Sequence, residues 1–137
     1  MRAVTAAGKH WLVEFYGARA LGDAASIRRA LRGAVKVSGV TLLKIQLHHF
    51  GPGRGVTGVA LLAESHISIH TWPERKYAAL DIFMCGARSN PKAALEALQE
   101  FFEPQAIYVR RFRRSADGRP ALRRAAQKAL GLLIDAE

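Results

Sequence analysis

The chain has 137 residues, half of them hydrophobic, and a formal net charge of +10. That length suits one domain with a real core, so a single domain over 1–137 is expected. One cysteine, Cys85, excludes an internal disulfide and fits a reducing, cytoplasmic setting. No apolar run approaches the ~20 residues of a membrane span, and the first residues, Met1-Arg2-Ala3-Val4, lack a signal-peptide core, so no membrane partner is expected.

Residues 10–16, His-Trp-Leu-Val-Glu-Phe-Tyr, are rich in aromatic and apolar side chains and predict a strand closed by Gly17. Asp23 is a helix N-cap. Ile27, Ala30, Leu31, Ala34 and Val35 follow at helical spacing, with Arg28, Arg29, Arg32 and Lys36 mostly on the other face and Gly39 as the stop. Residues 40–48 read as a second strand and Gly51-Pro52-Gly53-Arg54-Gly55 as a turn. Strands are expected over 56–63 and 66–71, then a turn at Pro73-Glu74 and a strand over 77–84. Asn90 caps a second helix with Pro91 at its first position. Leu95, Leu98 and Phe102 form its apolar stripe and Pro104 stops it. A last strand spans 105–112, and Pro120 to about Ile134 reads as a third helix. Short strands with two interleaved helices predict an α+β fold: a two-layer sandwich, mainly antiparallel, with helices on one face.

Residues 64–74 concentrate the chemistry. Glu64, Ser65, His66, His70, Trp72 and Glu74 fall within one short stretch, directly after the apolar run Val59-Ala60-Leu61-Leu62-Ala63. Packing alone does not call for carboxylates, a hydroxyl and two imidazoles there. Ser65 is expected at a strand edge or tight corner, where backbone strain can be held. His66 and His70 sit four apart on a strand without an obvious third ligand, so no metal site is expected. Residues 110–128 carry Arg110, Arg111, Arg113, Arg114, Arg119, Arg123, Arg124 and Lys128 against Asp117 alone. Such a patch can bind nucleic acid or anions, but few aromatic residues alternate with it, which counts against nucleic acid as a partner.

The segment Glu64-Ser65-His66 with His70-Thr71-Trp72-Pro73-Glu74 resembles the self-cleavage motif of the short prokaryotic S-adenosylmethionine decarboxylase proenzymes. His10, Glu14-Phe15-Tyr16, His48-His49-Phe50, Gly55-Val56-Thr57-Gly58-Val59, Tyr77-Ala78-Ala79 and Cys85-Gly86 fall in the family's order. The resemblance implies cleavage between Glu64 and Ser65 into a β chain, 1–64, and an α chain, 65–137, with 113–137 as a basic C-terminal extension. Ser65 becomes a covalent pyruvoyl group, the self-generated cofactor that forms a Schiff base with the substrate amine. His70 is implied in proton transfer during processing, with His66 of the cleavage motif as the competing candidate and Thr57 as processing helper. Cys85 is implied as proton donor in catalysis, and Phe50 and Glu74 as substrate-binding residues for adenine and ribose. The family resemblance also implies a homodimer with sites near the subunit interface. The implied activity is decarboxylation of S-adenosylmethionine, which supplies the aminopropyl donor for spermidine synthesis. The residues around 51–55, Arg75-Lys76 and Ala87-Arg88 depart from the family pattern, which leaves ornithine or arginine as alternative substrates of the same chemistry. A non-catalytic nucleic-acid or anion-binding module is the alternative of another class. His70 poses a geometric problem, because residues 65 and 70 of a flat strand point to opposite faces; a bulge or a bend at Ser65 is needed.

Overall fold

The computed structural model describes residues 7–116. Six strands and two α-helices alternate in the order β1 (Ala7–Tyr16), α1 (Ala24–Val37), β2 (Leu42–His49), β3 (Val56–Leu62), β4 (Ser65–Trp72), β5 (Tyr77–Cys85), α2 (Pro91–Phe102) and β6 (Ala106–Ser115). A 3-10 turn over Pro73–Arg75 joins β4 to β5. The expected α+β fold is borne out. The helix expected over 120–134 lies outside the described residues, as does most of the basic extension. Residues 113–115 belong to β6 itself.

The strands form one sheet in the order β2-β3-β4-β5-β1-β6, and every neighbouring pair is antiparallel. Strands β2 to β5 follow as hairpins, whereas α1 carries the chain from β1 to the far edge. Alternation along each strand decides what the two faces do. Val13, Phe15, Ile67, Ile69, Leu80, Ile82 and Met84 point one way and are buried. They pack with Ile27, Leu31, Leu98 and Phe102 of the helices in one core. Both helices start where the sequence predicts. Asp23 accepts from the Ala25 amide at 3.2 Å, and Asn90 accepts from the Ala93 amide at 3.0 Å. Each satisfies an amide that has no intrahelical partner.

Among the described residues the other face carries no helix. Its side chains include His10, Leu12 and Glu14 of β1, His66, Ser68 and His70 of β4, and Asp81, Phe83 and Cys85 of β5, all outside the buried core. This open face positions the candidate site.

Candidate active site

The β3–β4 hairpin is the first determinant. Leu62 pairs with Ser65, which leaves Ala63-Glu64 as a two-residue loop. Such loops favour a positive φ within the loop itself, to match strand twist. Here neither loop residue has one; instead Ser65 takes φ 143°. That region is costly for any residue with a Cβ, by about 1–3 kcal/mol. The loop is fastened on both sides. The Glu64 carboxylate accepts from the Thr41 amide at 2.8 Å and from its hydroxyl at 3.2 Å. The Ala63 amide donates to the Thr41 carbonyl at 3.0 Å, and the Glu64 carbonyl accepts from the Cys85 amide at 2.9 Å.

Ser65 pairs with Leu62 and Met84, both core residues, so strand parity alone would direct its side chain inward. The positive φ turns it. Its Oγ lies 3.2 Å from His66 Nδ1, on an imidazole of the open face. His66 Nε2 lies 3.5 Å from Asp81 Oδ1, and the same oxygen is 2.6 Å from His10 Nε2. Arg114 stands 3.3 Å from His10 Nδ1. An arginine can only donate, so His10 Nδ1 accepts and His10 Nε2 carries the proton given to Asp81. Phe83 steadies both rings, stacked on His10 with centroids 4.7 Å apart and edge-on to His66 at 5.9 Å. By type, His10, His66 and Asp81 could hold a cation, with ligand atoms all within 4.8 Å of one another. The His10 and Asp81 atoms are already engaged with each other, however, and the Arg114 guanidinium opposes further positive charge.

Cys85 sits at this end of the face, on a cleft it shares with Gly8, Phe83 and Arg114. Gly8 is its cross-strand partner. A Cβ at Gly8 would lie 2.8 Å from the thiol sulfur, so the space beside the thiol depends on that glycine.

The remaining candidates gather at the opposite end. Thr57 Oγ1 and His70 Nδ1 form a 2.6 Å hydrogen bond, which joins the predicted processing pair. Both line a cleft of about 620 Å³ together with Phe50, Arg54, Trp72 and Glu74. Phe50 is 54% exposed, an uncovered ring at the cleft. Trp72 is 40% exposed and stacks on Tyr77 at 5.3 Å. Burial first, and then the Glu14 carboxylate, hold the Tyr77 hydroxyl above the usual tyrosine range, so it stays protonated. Gly55 fits the same wall because a Cβ there would run into the Thr71 carbonyl.

The expected bend is present at Ser65, yet it does not bring His70 to it. Pairing runs without a bulge from Ser65 to His70 on the β3 side and to Trp72 on the β5 side. At a rise of about 3.3 Å per residue the two lie roughly 16 Å apart along β4. One protomer therefore carries two half-constellations: Ser65 with Cys85, His66, Asp81 and His10, and His70 with Thr57, Phe50, Trp72 and Glu74. The sequence placed His66 in the cleavage motif, as the competitor of His70, and His10 in the family's order, but gave Asp81 no role; that the three join one network beside Ser65 emerges only from the structure.

A serine at positive φ whose preceding carbonyl is hydrogen-bonded, on a sheet face that no described helix covers, with a thiol and imidazoles beside it, marks an α+β protein with its candidate chemistry around one hairpin. The family model described as S-adenosylmethionine decarboxylase matches residues 9–115, and the chain belongs to that family. It is 44% identical over 102 residues to the S-adenosylmethionine decarboxylase proenzyme of Thermomicrobium roseum, covering 74% of this chain and 88% of that protein. The proenzyme of the same name from Methanococcus maripaludis strain C5 is 48% identical over 104 residues, 74% of this chain and 84% of its own length. The crystal structure of the adenosylmethionine decarboxylase from Aquifex aeolicus superposes with a TM-score of 0.74 at 37% identity, over 81% of this chain and 92% of that one.

Proposed function

We propose that the chain is a proenzyme that cleaves itself between Glu64 and Ser65 and then decarboxylates S-adenosylmethionine, supplying the aminopropyl donor for polyamine synthesis. One observation carries the processing step. In an L-residue, Cβ is offset from the carbonyl carbon by ~120° about the N–Cα bond. A φ of 143° thus leaves the torsion from the Glu64 carbonyl carbon through N and Cα to Cβ at roughly 20°. In an ordinary strand, with φ near −120°, it would be about 120°. Attack of Oγ on the Glu64 carbon closes a five-membered ring that needs this torsion small. Ser65 is therefore already wound toward the ring, and the Cys85 amide faces the oxygen on which charge develops.

The residues present fit a pyruvoyl group derived from Ser65, which supplies a ketone for the substrate amine and a sink for the electrons released with carbon dioxide. Cys85, at the same end of the face, is suited to return a proton to the product carbon. In the second cleft, Phe50 and Trp72 offer aromatic faces to a purine, and Glu74 offers a carboxylate to ribose hydroxyls. An aliphatic amino acid such as ornithine or arginine needs no such ring, so the cleft favours S-adenosylmethionine.

Both half-sites serve one reaction if two copies pair through their open faces. A twofold axis between facing sheets, running across the strands, sets the Ser65 end of one copy over the His70 end of the other. One feature supports a homodimer of this kind: Leu61, Trp72, Tyr108 and Phe112 are exposed, large apolar side chains that a partner surface would cover.

Intact-mass measurement tests the processing step: two fragments split between 64 and 65 are expected, and a single uncleaved chain for Ser65→Ala. Release of carbon dioxide from carboxyl-labelled S-adenosylmethionine, with ornithine and arginine in parallel, tests the substrate. A wild-type preparation that is active while full-length would overturn this reading.

A further inference from the structure

We infer that His66 is the base that takes the Ser65 hydroxyl proton in the first step of chain cleavage, with Asp81 and His10 as positioning residues. The inference deepens the proposed processing reaction and rests on it.

Ser65 Oγ needs a base, because a neutral serine hydroxyl is a weak nucleophile. The imidazole nitrogen within reach is His66 Nδ1, at 3.2 Å. A general base must first satisfy that distance, which can tighten as reaction proceeds. His70, the residue implied by family resemblance, is engaged with Thr57 at the far end of the strand and has no access to this hydroxyl within its own chain.

His66 can accept only if its other nitrogen holds the ring proton. The Asp81 carboxylate oxygen lies 3.5 Å from Nε2 and favours that tautomer, as a carboxylate does behind the histidine of a serine–histidine–aspartate triad. Asp81 is itself anchored by His10 at 2.6 Å, and His10 by Arg114 at 3.3 Å. Donation thus converges on the Asp81 carboxylate from both ends, from Arg114 through His10 and from Ser65 through His66. His66 is about one-third exposed and His10 less so, so the chain lies partly out of water even in the isolated protomer.

The step balances without a co-reactant. The Oγ proton moves to His66 Nδ1 as the bond from Oγ to the Glu64 carbonyl carbon forms. The carbonyl electron pair moves onto oxygen, facing the Cys85 amide. When the bond from that carbon to the Ser65 nitrogen breaks, the proton on Nδ1 passes to the nitrogen. The product is an ester with a free amine. Removal of the Ser65 α-proton and departure of the Glu64 carboxylate belong to a later step, which leaves His70 a separate role.

Hydroxylamine distinguishes the two steps, because it cuts an ester at 64–65 and leaves the amide intact. In His66→Ala the cleavage rate is expected to fall by about 10²–10⁴-fold. The uncut chain should resist hydroxylamine, and added imidazole should restore cleavage. Asp81→Asn should slow cleavage less and displace its pH profile, which loss of packing alone would not do; circular dichroism establishes that each variant is folded. Cleavage of His66→Ala at the wild-type rate, or its accumulation as a hydroxylamine-sensitive ester, would overturn the assignment of His66. Failure of the wild-type chain to cleave at all would instead overturn the processing reading on which it rests.

Discussion

Ser65 combines two demands that conflict in an ordinary strand. Its backbone is held at φ 143°, where glycine is comfortable and serine is not. Comparing two uncleavable variants isolates that strain. Ser65→Gly should be more stable than Ser65→Ala by about 1–2 kcal/mol, since alanine keeps the offending Cβ and glycine gives back part of the gain as chain entropy. Denaturant titration of both reads the difference, and equal stabilities would mean that the hairpin holds this φ without cost. Cys85 likewise carries two separable groups. Its amide faces the Glu64 carbonyl, and its thiol lines the cleft beside Gly8. Cys85→Ala keeps the amide and loses the thiol. It should therefore still be cut at 64–65 while decarboxylation falls by about 10²-fold or more; loss of both would tie the thiol to processing as well. The sequence singled out Ser65, His66 and Cys85 as candidates. It hid the contact between Ser65 and His66, because period-two alternation separates neighbours and only a three-dimensional φ reverses that rule.

Elements were legible wherever local chemistry sets them. Asp23 and Asn90 mark the helix starts by side-chain capping, and the alternation in 77–84 marks β5 to within a residue. Strand β6 runs three residues beyond expectation, to Ser115, because pairing with β1 continues to Ala7. A run of arginines gives no strand signal, so long-range pairing decides there. The same arginines suit an edge. Arg110, Arg111, Arg113 and Arg114 put like charge along a strand that would otherwise recruit another edge, and Arg111 also lies 4.7 Å over the Trp11 ring. The α1 cap provides a pH test. Ser26 donates to Asp23 at 2.6 Å, and that hydrogen bond leads in holding the carboxyl below its ordinary 3.8. A lowered folded pKa stabilises the fold above the unfolded value and is lost as pH falls through the folded one. The Tm advantage of wild type over Asp23→Asn should therefore be full above about pH 5 and vanish toward pH 2. A pH-independent difference would mean that the charge contributes nothing.

At the scale of the described residues, the decisive feature is that one sheet face is buried under helices while no described helix covers the other, which carries the candidate site residues. The order of elements and their apolar stripes made the layer architecture legible. The division of the site could not be read that way, because residues 65 and 70 are close in sequence and roughly 16 Å apart on an unbroken strand. If two open faces pair about a twofold axis, each Ser65 works with the His70 of the other copy. Coexpression tests this directly. Ser65→Ala chains keep His70 but cannot be cut, and His70→Ala chains keep Ser65 but lack the distant imidazole. Expressed alone, neither should yield fragments efficiently. Expressed together with distinguishable tags, the His70→Ala chain should be cut, because its partner supplies the missing imidazole, while the Ser65→Ala chain stays whole. A third variant, Phe112→Asp, puts a charge on an exposed ring of the proposed interface. It should shift the protein to monomer in sedimentation and abolish the rescue without disturbing the core on the other face. Cutting of His70→Ala chains expressed alone at the wild-type rate would show that His70 is not required, and rescue that persists in a monomer would show that the two half-sites do not meet across this face.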